Sequence, residues 1–97
     1  MSNKEKIVEQ QVGAGEGFKV RIFDLDKGLT EYEHVKVIRI VSKDYNLLIM
    51  EDYLPIIGEV DGSIDIKGDD LDLSFPNISA FYMNSSNVFN LMIKEVD

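Results

Sequence analysis

Five aspartates lie within twelve residues near the middle of the chain, and carboxylates at this density could bind a hard cation. They are Asp61, Asp65, Asp69, Asp70 and Asp72. Calcium takes about six to eight oxygen ligands, which carboxylates and turn carbonyls supply. The alternation of apolar residues places Asp65 and Asp72 on strand faces and Asp69 and Asp70 in a turn. This arrangement favours solvated acids, and a calcium-dependent binding module is kept as an alternative.

The groups that could perform catalysis are few and are scattered along the sequence. Glu51 and Asp52 are adjacent carboxylates, but acid–base catalysis needs a cleft that separates their pKa values. His34 is the single histidine, and its place beside Glu33 at the start of an apolar segment is typical of an exposed or locally hydrogen-bonded imidazole. The chain has no cysteine, and no serine lies in a Gly-x-Ser-x-Gly setting. The sequence therefore predicts a protein that is not an enzyme and has no cofactor.

Length and charge limit the remaining classes of function. The chain has 97 residues, 44% of them hydrophobic and 29% charged, which is typical of one globular domain. Its formal net charge of -8 repels a phosphate backbone, so we expect no nucleic-acid partner. No apolar run approaches the ~20 residues of a membrane-spanning helix, and the first residues lack a secretory signal. We expect a cytoplasmic protein that does not insert into a membrane and meets one only through a partner complex; its oligomeric state stays open.

The elements that position these side chains are strands. Residues 1–17 hold few apolar side chains and end in a glycine-rich run, which predicts a flexible N-terminal tail. Residues 18–97 form the domain, and their apolar residues recur with the period of two that is typical of strands. Seven or more short strands are expected, with Pro55 and Pro76 at strand starts, bulges or edges. The fold class that follows is all-β, and we expect a two-sheet antiparallel β-sandwich.

Four apolar patterns carry this prediction. In the first strand Phe18, Val20 and Ile22 share a face. In the second segment Val35, Val37 and Val41 are expected opposite Ile38 and Ile40. The two later patterns place Ile78, Ala80 and Tyr82 opposite Phe81 and Met83, and place Phe89, Leu91 and Ile93 together.

The middle of the chain resembles the N-terminal β-sandwich domain of the epsilon subunit of F-type ATP synthases. That family reads approximately L-G-I-x-P-G-H-x-P-L-L-x-x-I-x-P-G-x-I-x-I in this region. The matching residues are Ile49, Pro55, Ile56, Ile57, Val60, Gly62, Ile64 and Ile66. The family's Pro-Gly-His is replaced by Glu51-Asp52-Tyr53, and the sequence ends at Asp97, before the family's C-terminal helical hairpin. The resemblance thus extends to the sandwich and not to the roles of that hairpin.

The resemblance implies a non-catalytic protein–protein interaction module. Its partners would be a gamma-like stalk subunit and the membrane rotor ring, because the family's corresponding loop faces them. Large side chains around Pro55 fit this role, since aromatic residues and methionine are enriched at interface centres. The predicted partner-binding residues are Met50, Glu51, Asp52, Tyr53, Leu54, Pro55 and Ile57. The alternative, beside the calcium-dependent module, is a stand-alone structural sandwich of a phage or mobile element.

Overall fold

The computed structural model describes residues 16–96. The tail predicted for residues 1–17 therefore lies almost wholly outside the described residues. Six strands follow one another in the chain: β1 (Phe18–Asp24), β2 (Gly28–Ser42), β3 (Asn46–Met50), β4 (Ile56–Gly68), β5 (Asp72–Ser85) and β6 (Val88–Val96). None of the described residues forms an apolar helix of membrane-spanning length. The prediction of an all-β fold is confirmed.

The strands form a closed barrel, which corrects the prediction of two separate sheets. Neighbours follow the order β1-β6-β5-β4-β2-β3, and β1 also pairs with β2. This last pairing closes the barrel from five strands and leaves β3 attached to β2 as an extra strand. Every pairing is antiparallel except that of β1 with β6. The prediction of seven or more strands was wrong because β5 runs without a break from Asp72 to Ser85, where two short strands were expected.

The core lies inside the barrel, and most of the predicted faces line it. Phe18, Val20 and Ile22 are buried on β1, and the inward residues of β5 and β6 are those that the alternation predicts. The ring of Tyr82 stacks on that of Phe89 with their centroids 5.7 Å apart. The buried hydrophobic residues are Phe18, Val20, Ile22, Val35, Ile38, Ile40, Ile49, Val60, Ile64, Ile66, Ile78, Ala80, Tyr82, Phe89 and Leu91.

Bulges explain where the simple alternation failed. The register of β2 with β4 shifts between Val35 and Val37, so one extra residue enters β2 there. Val35 therefore shares the inner face with Ile38 and Ile40, and its predicted grouping with Val37 and Val41 was wrong.

A second bulge lies on β5 opposite the Gly62–Ile64 step of β4, in the stretch that contains Pro76. Pro55 immediately precedes the first residue of β4. Both prolines thus occupy positions of the predicted kind, where a missing N–H does not interrupt the ladder.

Two glycines of β4 are required by close approaches. A Cβ on Gly62 would overlap the carbonyl oxygen of Val41 on β2, and a Cβ on Gly58 would overlap the ring and hydroxyl of Tyr82. The Tyr82 hydroxyl lies 2.8 Å from that of Tyr45, which donates a hydrogen bond to the Glu59 carbonyl at 2.5 Å. Because a phenol carries one proton, Tyr82 must donate to Tyr45.

We expect Gly62→Ala to destabilise the barrel, because the new methyl group forces β4 away from the β2 backbone. The free energy of unfolding should fall by about 2–4 kcal/mol, measured by urea denaturation. Ser63→Ala is the control one residue away, and it should change stability by less than about 0.5 kcal/mol. Equal stability of the Gly62→Ala variant and the parent would contradict the tight β2–β4 approach.

We also expect stability to fall in alkali because of Tyr82. Burial, together with the hydrogen bond and the charge interaction with Tyr45, raises the pKa of Tyr82 well above its ordinary value of 10.0. From pH 10.0 upward the unfolded chain ionises this phenol while the native state keeps it protonated, so unfolding releases a proton and becomes easier. Urea denaturation between about pH 9 and pH 11 should show this loss, and Tyr82→Phe should flatten it. A Tyr32→Phe control that flattened it equally would contradict the assignment to Tyr82.

Candidate functional site

The predicted partner-binding residues lie at one end of the barrel, in the loop from β3 to β4 and the residues that flank it. We call Met50–Ile57 the β3–β4 loop region. Five residues separate β3, whose last residue pairs with Val37 of β2, from β4, whose first residue pairs with Asn84 near the end of β5. The Tyr53 amide donates to the Met50 carbonyl at 3.2 Å, which closes the turn.

The β3–β4 loop region is attached to the β5–β6 turn by a reciprocal pair of hydrogen bonds. The amide of Asp52 donates to Asn87 Oδ1 at 2.7 Å, and Asn87 Nδ2 donates to Asp52 Oδ1 at 2.9 Å. Both residues have left-handed backbones, with φ of 65° and 62°. Aspartate and asparagine adopt this conformation more readily than other side-chain-bearing residues. The residue types thus suit both the turns and the contact between them.

Two further bonds fix the ends of the loop. The amide of Gly17 donates to Glu51 Oε1 at 3.1 Å, which ties the loop to the start of β1. Asn84, the buried polar residue of β5, donates from Nδ2 to the Leu54 carbonyl at 3.5 Å. The loop is therefore held by hydrogen bonds to three other segments of the barrel before any partner is present.

The seven predicted partner-binding residues differ in their exposure to solvent. Leu54 is 75% exposed, Ile57 78% and Met50 51%, so these apolar side chains face outward. Asp52 and Pro55 are also exposed, and Glu51 is half-buried. Tyr53 is half-buried and packs against the core. That the seven residues bind a partner stays a prediction, but Tyr53 has a structural role in the barrel as well.

Sequence reasoning missed the outer face of β5 and β6, which continues this apolar surface. Ile57 pairs with Met83 on β5, and Phe81 pairs with Met92 on β6. Phe81, Met83 and Met92 are 44%, 41% and 44% exposed. The sequence does contain a sign of this surface, because apolar residues occupy both faces of the 78–83 segment. Exposed apolar residues that cluster in this way mark interaction sites more often than scattered ones.

The other candidate groups do not converge. Within residues 16–96, no three His, Cys, Asp or Glu side chains are placed to hold a metal ion. Asp65 accepts a hydrogen bond from Ser74 at 2.8 Å, and Asp61 lies 3.2 Å from Lys43. His34 occupies a bulge of β2 with φ of 60°, and its Nδ1 lies 3.1 Å from the Glu16 carbonyl oxygen. These residues have local structural partners.

The comparisons with known proteins give a structural neighbour. No family model matches the sequence, and no curated protein matches it significantly. A chain in the cryo-EM structure of the Tetrahymena thermophila mitochondrial ATP synthase, central stalk and c-ring, matches with a TM-score of 0.68 and 12% identity. The match covers 81% of this chain and 64% of that one, so this chain spans less than two thirds of its neighbour. At this identity the likeness concerns the fold alone.

We expect the Asp52–Asn87 contact to stabilise the loop, and a double-mutant cycle measures it. Glycine tolerates a positive φ, so Asp52→Gly and Asn87→Gly remove the side chains without backbone strain. Their free energies of unfolding should be non-additive by about 1 kcal/mol. The pair Asp26→Ala and Asn87→Gly, which share no contact, is the control and should be additive. Additivity of the first pair would contradict the reciprocal bonding.

Proposed function

We propose that this chain is a non-catalytic protein–protein interaction module of a rotary ATP synthase, similar in role to the epsilon-subunit domain. Its partners in this proposal are a gamma-like stalk subunit and the membrane rotor ring. It would work on the cytoplasmic side, peripheral to the membrane through that complex. The contact surface comprises the exposed apolar residues of the β3–β4 loop region together with Met83.

The observation that carries the proposal is the exposure of Leu54 and Ile57 on a backbone that is already fixed. Leaving two large aliphatic side chains in water gains nothing for folding, since burial contributes about 25 cal/mol per Å². A loop held by hydrogen bonds to β1, β5 and the β5–β6 turn loses little conformational entropy on binding. Such a loop suits the centre of a protein interface.

The structural neighbour supports the class of partner. That chain belongs to the central stalk and c-ring of an ATP synthase. The replacement of the family's Pro-Gly-His by Glu51-Asp52-Tyr53 also has a physical account in this barrel. Asp52 is hydrogen-bonded to the β5–β6 turn, Glu51 accepts a hydrogen bond from the residue before β1, and the Tyr53 ring packs on the core. The substituted residues thus hold the loop in place, while Leu54 and Ile57 are left for contact.

Site-specific photo-crosslinking tests the proposal. A photoreactive amino acid at position 54 should crosslink, in the cell of origin, to a central-stalk or rotor-ring subunit, identified by mass spectrometry. The same amino acid at position 48, on the exposed face of β3, is the matched control because Leu48 is 45% exposed. A crosslink from position 54 to a capsid or tail protein, or to no protein at all, would contradict the proposed role.

The double variant Leu54→Ser/Ile57→Ser should no longer co-purify with the stalk subunit, while its unfolding midpoint stays within about 4 °C of that of the parent. Tyr53 is left unchanged because its ring packs on the core. A variant that folds and still co-purifies with the stalk subunit would place the contact elsewhere on the barrel.

A further inference from the structure

Two phenylalanines on the outside of the barrel each lie beside a cation and a carboxylate. Lys94 Nζ lies 4.3 Å from the centroid of Phe81 and 2.6 Å from Glu59 Oε2. Arg21 Cζ lies 5.4 Å from the centroid of Phe23, and its Nε lies 2.9 Å from Glu31 Oε2. The same three chemical groups therefore occur together twice, on neighbouring strands. We call them the two Phe–Glu sites.

The strand register places the two sites on one surface with methionine between them. Met92 of β6 pairs with Phe23 of β1 on one side and with Phe81 of β5 on the other. Adjacent strands are about 4.8 Å apart, so the backbones that carry the two rings are about 10 Å apart. Glu31 pairs with Arg21 on the β2 side, and Glu59 pairs with Phe81 on the β4 side. An apolar centre thus has a carboxylate at each end.

We propose that this surface binds a basic amphipathic segment of a partner protein, with its apolar residues over Met92 and its Lys or Arg side chains at the two Phe–Glu sites. The inference rests on the proposed function, because it names the chemistry of the partner for the same continuous apolar surface. A cation above an exposed ring gains about 0.5–1 kcal/mol, and about 2 when water is excluded. Lys94 and Arg21 show that both sites hold cations at this distance.

Charge complementarity selects this partner over a second copy of the chain. The formal net charge of -8 attracts a basic partner and speeds its association. Two copies would repel each other by the same charge. The glutamate side chains of the two sites are 46% and 55% exposed, so an approaching cation can reach them from solvent. The partner's cations would share or replace the bonds that Lys94 and Arg21 now make.

Two synthetic helical peptides test the proposal. Both carry leucine on one face, and they differ only in lysine or glutamate on the flanks. At low salt the lysine peptide should bind at least about tenfold more tightly than the glutamate peptide, measured by fluorescence anisotropy, and added salt should weaken it. Amide shifts in a nuclear magnetic resonance titration should centre on Phe23, Phe81 and Met92.

Matched variants distinguish the effect of the two glutamates on peptide binding from the effect of the protein's overall net charge. The variant Glu31→Gln/Glu59→Gln should bind the lysine peptide about tenfold more weakly than the parent. The variant Asp69→Asn/Asp70→Asn removes the same amount of charge elsewhere, and its affinity for the peptide should fall by less than about twofold. Phe23→Leu/Phe81→Leu keeps the surface apolar and should also weaken binding, because the ring faces are lost. Equal effects of the two charge-removing variants would overturn the assignment to the Phe–Glu sites.

Three other results would overturn the inference. They are equal affinity for the two peptides, amide shifts confined to another face, and a concentration-dependent dimer in light scattering that Phe81→Ser abolishes. The last result would make a second copy the occupant. Failure of these peptide experiments with an intact crosslink from position 54 would leave the proposed function standing. If the peptide binds as expected but the crosslink from position 54 is absent, the role in a rotary complex is rejected and the binding surface proposed here is not.

Discussion

The bend in β2 determines how the rest of this barrel is assembled. The first part of the strand pairs with β1, and the second part pairs with β3 and β4. Register shifts at the junction insert extra residues, and His34 takes a left-handed backbone there. Bulges increase local twist and bend the strand that carries them. Without this bend β2 could not pair with β1 and β4 together, and the barrel would stay open.

The β3–β4 loop region depends on that closure. Because β1 is held against β2 and β6, the residue before it, Gly17, lies beside the loop and donates a hydrogen bond to Glu51. The β5–β6 turn reaches the loop from the other side through Asn87, whose carbonyl also accepts from the Lys19 amide at 3.0 Å. The loop that carries the exposed Leu54 and Ile57 is thus held by the Gly17 amide and by the side chains of Asn84 and Asn87, which belong to three parts of the chain. Their position is a consequence of the fold and does not depend on the loop's own sequence alone.

The period-two alternation of apolar residues predicted which side chains face the core, but it did not predict which strands pair with each other. It placed the inward residues of β1, β5 and β6, because a regular strand forces successive side chains to opposite sides. It failed at Val37, where a bulge adds a residue without changing composition, and it gave no sign that β1 pairs with β2. The apolar residues around Pro55 indicated an unusual loop, but exposure separates Leu54 from Tyr53 only once neighbouring strands are in place. Phe81 and Met83 were visible as outward residues, and their cluster with Met92 required the β5–β6 register.

The parallel pairing of β1 with β6 also has a consequence for how the barrel is made. Lys19 lies opposite Val88 and Phe23 opposite Met92, so the first of these six strands to leave the ribosome has the last of the six as a neighbour. Contacts between such distant positions form slowly, because a long stretch of chain must be ordered before they contribute. A nascent chain that lacks β6 has β1 and β5 without their shared partner, with inward residues such as Val20 and Tyr82 uncovered. Closure of the barrel is therefore a late step, which follows synthesis of β6.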